Sequence, residues 1–144
     1  MRADRRTHKP GNAGIADESD TPLVRRALRA LATPTDQLSP GQIRLLIGQQ
    51  AEYERLVPAA LVLLRDDPLL ETDFYPGDLL AAVCRLPAEH WSAHPDQVAE
   101  VRRLTGLATA SPDWLSAERP SDRQVRADLA AFRQATGGGS DALA

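Results

Sequence analysis

Cysteine occurs once, at position 84, so the chain can close no internal disulfide and cannot build a zinc site from thiolates. Aromatic residues are nearly as scarce. Two Trp, two Tyr and two Phe leave the interior to Leu, Val, Ile and Ala. No long apolar run is present either. The run that ends at Leu64 is far short of the roughly 20 residues that cross a bilayer, and the basic stretch Met1 to Pro10 has no apolar segment behind it. Neither a membrane span nor a signal peptide is expected, and the cytoplasm is the expected compartment. An excess of positive charge is missing as well. With 17 Lys and Arg against 20 Asp and Glu the net charge is −3, which argues against a dedicated nucleic-acid binder.

What is present suits an ordinary globular chain. A hydrophobic fraction of 42% with 26% charged residues over 144 positions is enough to bury one core and too little for two domains. No segment alternates apolar and polar residues for long enough to predict a strand. Helical signals recur instead. Pro22 opens a first helix with Leu23, Val24, Ala27, Leu28 and Leu31 on one face. Ser39, Pro40 and Gln42 form a capping box before Ile43, Leu46 and Ile47. Gly48 implies close packing or a helix end, and Pro58 a kink or restart in the helical stretch Glu52 to Arg65. After Pro68 the run Asp73-Phe-Tyr-Pro-Gly-Asp78 reads as a turn into a helix with Leu79, Leu80, Val83 and Cys84 inward. Pro87 and Pro95 begin two more helices, carrying Trp91 and then Val98, Val101, Leu104 and Leu107; Ser111 to Trp114 adds a turn. Ser121 is expected to cap a last helix that stops before Gly137-Gly138-Gly139. The prediction is an all-α fold, a single compact domain of about six to eight short helices whose pairs can stack. It spans 20–136, between flexible tails at 1–19 and 137–144.

Chemistry is sparse. His90 and His94, four apart, make half a metal site, with Glu89 or Asp96 the nearest candidate third ligand; a polar helix end before Pro95 explains them as well. No metal ligands, catalytic residues or cofactors are assigned. The glycines of Gly11 to Gly14 and Gly137 to Gly139 lack the strand and Lys of a phosphate loop. A DNA-binding helix pair over Ser39 to Arg55 is disfavoured, because Glu52 and Glu54 oppose its two bases, Arg44 and Arg55. Charge is distributed unevenly elsewhere: Asp66, Asp67, Glu71, Asp73 and Asp78 fall between positions 66 and 84 without a single Lys or Arg. Asp73 and Asp78 suit helix starts and the others solvation, while together the five carboxylates suit a basic partner. Phe74, Tyr75 and Trp91 are candidate anchors or core.

The segments Ile43-Arg-Leu-Leu-Ile-Gly-Gln-Gln50, Leu56-Val-Pro-Ala-Ala-Leu61 and Asp73-Phe-Tyr-Pro-Gly-Asp-Leu-Leu80, followed by Trp91, resemble immunity proteins of contact-dependent growth inhibition (CDI) systems, of the CdiI type. The resemblance covers about Leu38 to Trp91. It implies an antidote, not an enzyme, that binds and neutralises the toxic C-terminal domain of a delivered effector; that toxin is expected to be a basic, nuclease-like protein. A helical scaffold or adaptor is the alternative, and a metal-dependent enzyme using His90 and His94 a third. Carried over on the matching positions, Gln49, Asp73, Tyr75 and Asp78 are candidate contacts, with Asp66, Asp67 and Glu71 added from charge. Gly48, Gln50, Pro76 and Gly77 are assigned to shaping the motif.

Overall fold

The computed structural model describes residues 21–112, 114 and 118–143, with side chains as far as 137. The expected tail at 1–19 lies outside the described residues. Seven α-helices and no strand occur among the described residues, so the fold is all-α. Helix α1 spans Pro22–Leu31, with Thr21 accepting from Val24 N–H at 3.1 Å. After a 3-10 turn at Thr35–Gln37 comes α2, Pro40–Gly48, whose capping box is complete: Ser39 Oγ accepts from Gln42 N–H at 3.1 Å and Gln42 Oε1 from Ser39 N–H at 2.8 Å. Gln50 (φ 55°) and Glu52 (φ 52°) take left-handed backbone and turn the chain into α3, Tyr53–Asp66. Pro58 lies inside α3 without dividing it. It removes one ladder bond, while Leu56, Val57, Ala60, Leu61 and Leu64, all buried, hold both halves on the core.

Helix α4, Asp78–Cys84, is the centre of the molecule. All seven of its residues are buried. The inward face expected of it is in fact its whole circumference, as required of a helix packed against α2 and α3 and against α7, Pro120–Leu143. Between them lie α5, Ala88–Ala93, and α6, Pro95–Thr109. Trp91 on α5 meets Phe132 on α7 edge to face, with ring centres 5.1 Å apart. The turn expected at Ser111 is present, Trp114 N–H donating to Ser111 O at 3.0 Å. Leu23, Val24 and Leu107, placed on inward faces by periodicity, are 48%, 41% and 50% exposed.

Helix α7 departs from expectation at both ends. It begins at Pro120, and the reach back to the preceding residue is made by Asp122, whose Oδ2 accepts from Arg119 N–H at 3.0 Å; Ser121 sits in the first turn. At the other end the helix runs through Gly137–Gly139 to Leu143. Glycine lowers helix propensity by about 1 kcal/mol relative to Ala, but it keeps its N–H, so the ladder continues.

Candidate functional site

The link between α3 and α4 carries most of the candidate contacts, and one carboxylate organises it. Asp78 is buried, 2% exposed. Its Oδ1 accepts from Thr72 N–H at 2.9 Å; its Oδ2 accepts from Thr72 Oγ1 at 2.9 Å, Asp73 N–H at 3.1 Å and Phe74 N–H at 3.0 Å. Asp78, a candidate contact, spends these acceptor sites within its own chain, on the backbone of Thr72, Asp73 and Phe74 and on the Thr72 hydroxyl. Gly77 (φ 84°) precedes it, donating to Leu69 O at 3.0 Å. A Cβ there would stand 3.1 Å from Val125 Cγ1, so both the backbone angle and the packing call for glycine. Pro76 pairs with Glu71 in an isolated antiparallel bridge that closes the loop. Pro76 and Gly77 thus shape the turn.

Asp73 is not the lone charge that its sequence neighbours suggest. Arg26 Nη2 from α1 lies 3.3 Å and Arg44 Nη2 from α2 3.2 Å from its Oδ2, and Arg44 Nε is 3.8 Å from Asp78 Oδ2. The Asp73 carboxylate also rests on the start of α2: an ideal Cβ on Gly41 would be 2.6 Å from Oδ1. The same Arg44 places its guanidinium 4.6 Å from the centre of the Phe74 ring, which is itself 63% exposed. Tyr75 is half-buried against the core, and Trp91 is buried.

Asp66, Asp67 and Glu71 are exposed, and no ion pair forms on them among the described residues. Asp67 Oδ1 accepts from Leu69 N–H at 3.1 Å. These three carboxylates border one loop with Phe74 and Tyr75. Gln49 does not join them. It caps the far end of α2, about 12 Å along the helix axis from Gly41. Gly48 ends α2 with nothing within 4 Å of an added Cβ, so of the two roles expected for it, a helix end holds and close packing does not. Gln50 Nε2 reaches Arg85 O at 3.4 Å, and with Gly48 it edges a groove floored by Trp91 and Phe132 and crossed by the Arg85–Asp128 ion pair. Arg55 is spent inside the fold, donating to Leu31 O at the end of α1 at 3.3 Å and to Thr35 Oγ1 in the 3-10 turn at 2.6 Å.

The histidine pair gains a third member that the chain order does not indicate. Glu54, near the start of α3, joins His90 on α5 and His94 at the α5–α6 junction, one ligand atom from each lying within 4.8 Å of the others. Glu89 and Asp96, the nearest acids in sequence, are not in this group. Burial holds the His90 imidazole below its ordinary pKa of 6.5; the Gln97 bond and Glu54 work against that shift, and His94 adds to it. Cys84 is buried, and desolvation pushes its thiol far up, with Asp128 acting in the same direction; it stays protonated.

The described residues thus form an all-helical domain with an exposed acidic loop and the exposed ring of Phe74 beside it. The family of CDI immunity proteins matches residues 10–101, well over half of the 144, and the chain belongs to it. A cognate toxin is the partner that this membership implies. No curated protein and no solved structure matches the chain. Among the described residues no helix is long and apolar enough to cross a membrane.

Proposed function

We propose that this protein is the cytoplasmic antidote to a nuclease toxin of a contact-dependent growth inhibition system, acting by binding and not by catalysis, and that it docks through the loop between α3 and α4. The observation that carries the reading is the group Asp66, Asp67 and Glu71, exposed and without ion pairs among the described residues, beside the exposed ring of Phe74. A nuclease presents a cationic groove for phosphates, and a fixed set of carboxylates can fill it while steering fast encounter. Asp78 contributes by holding the loop in one shape, so that little ordering entropy is lost on docking. Tyr75 lines the same loop, Asp73 offers what Arg26 and Arg44 leave of its charge, and Gln49 is a contact only for a partner large enough to reach around α2.

The test is growth rescue. The C-terminal toxin domain encoded beside this chain is induced with and without it, and the complex is co-purified. Rescue with a stable complex is expected. The triple variant D66N/D67N/E71Q is then expected to weaken binding by about 10–100-fold at low salt and to flatten its salt dependence. Rescue and affinity unchanged by this variant and by F74A would place the interface elsewhere. Equal killing with and without the protein would refute the pairing itself.

A further inference from the structure

We propose that Glu54, His90 and His94 form a binding site for a borderline divalent transition metal such as Zn²⁺, which ties the start of α3 to the corner between α5 and α6. The ligand set is the first argument. Two imidazoles and one carboxylate are a recognised three-ligand set for zinc, with the fourth tetrahedral position left to water. His94 Nε2 already lies 3.5 Å from Glu54 Oε1, close to the roughly 3.3 Å between ligand atoms in a tetrahedral site with bonds of about 2.0–2.1 Å.

The second argument is the state of His90. Its ring is 2% exposed, and Nε2 lies 2.7 Å from Gln97 Oε1, an acceptor; the bond requires the hydrogen on Nε2 and leaves the lone pair on Nδ1. Nδ1 is buried and has no hydrogen-bond partner. A neutral imidazole with one nitrogen donating to an amide oxygen and the other bare is the arrangement in which proteins hold metal-ligating histidines. Tyr53 stands edge-on to the His90 ring at 5.3 Å and Trp91 at 4.8 Å, which fixes its plane. The His94 ring lies alongside, 4.5 Å away and tilted by 34°, so the two rings are neighbours without hydrogen-bonding one another. Glu54 is the adjustable ligand, its side chain 68% exposed and able to swing the last ångström.

The proposal does not rest on the docking loop, and its test uses no toxin. The full chain, stripped with EDTA and desalted, is titrated with zinc chloride by calorimetry and with cobalt chloride by visible absorption. One equivalent of zinc per chain and the d–d bands of four-coordinate cobalt are expected. H94Q and E54Q alter exposed or half-exposed side chains, so the fold survives. Each is expected to weaken zinc binding by more than the roughly 10–100-fold expected of the supporting variant Q97L, and to abolish the cobalt bands. Absence of saturable one-to-one binding overturns the proposal. So does binding that H94Q leaves unchanged, which would put the metal on another donor such as His8.

Discussion

Replacing Asp78 by Ala tests whether a single buried carboxylate holds the α3–α4 link. The substitution deletes the acceptor of four hydrogen bonds, from Thr72 N–H, Thr72 Oγ1, Asp73 N–H and Phe74 N–H, each between 2.9 and 3.1 Å. Bonds to a charged group contribute about 1.5–3 kcal/mol each when counted singly, which would overstate the sum here because Asp73 and Phe74 are exposed enough for water to replace part of the loss. Arg44 also loses a counterion but keeps Asp73. The expected cost is about 3–5 kcal/mol, a large part of the 5–15 kcal/mol typical of a domain. Asn at 78 retains one acceptor and turns an amide donor toward the remaining donors, so it is expected to cost about 2–3 kcal/mol. Urea unfolding at pH 7, followed by circular dichroism, measures both, with D66N as a surface control within about 0.5 kcal/mol of the parent. A D78A cost below about 1 kcal/mol would refute the assignment of Asp78 as the organiser of the loop.

The glycines of the motif should part company. G77A, with φ 84° and Val125 at 3.1 Å, is expected to cost about 1–3 kcal/mol, and G48A, with open space around it, to be neutral or to stabilise by up to about 1 kcal/mol in the same assay. Acid should weaken the fold through Glu100 and Asp122. Hydrogen bonds from Arg103 and Arg65 hold Glu100 below 4.5, and at Asp122 burial acts upward but Arg119 prevails and holds it below 3.8. Depressed values mean that the unfolded chain takes up protons first, so stability is whole above about pH 4.5 and declines as pH falls through the folded values; E100Q should flatten that decline in unfolding curves between pH 3 and 5. Cys84 should resist a thiol-reactive chromogen in the native protein and react at once in denaturant, because only the thiolate attacks and burial keeps the proton on.

Local chemistry is what the amino-acid sequence makes legible here. The capping box at Ser39, the prolines at the first turns of α1, α2 and α6, and the turn before α4 depend on residues within four positions of one another, and all stand where their spacing puts them. Contacts between distant segments are a different matter. Asp73 and Asp78 look unpaired along the chain because the counterions of Asp73, Arg26 and Arg44, lie 47 and 29 positions before it, and Arg44 also serves Asp78. The spacing places Asp78 at a helix start, where it stands, but its main partners are the N–H groups of Thr72, Asp73 and Phe74 in the preceding loop, which no side-chain pattern announces. Glu54 stands 36 positions before His90, and no periodicity links the two. In α7 the glycine triplet has the composition of a stop and lacks the blocked N–H that proline would supply.

Helix α4 depends for its cover on α7, which starts more than thirty positions later and lies beyond the last residue matched by the family. The domain therefore cannot be a string of helix pairs that unravel one after another from an end, as a solenoid can. Removing α7 would bare the most apolar helix of the molecule, so its backbone amides should exchange with solvent only when the entire chain opens. During synthesis the same dependence leaves α4 uncovered until α7 has left the ribosome.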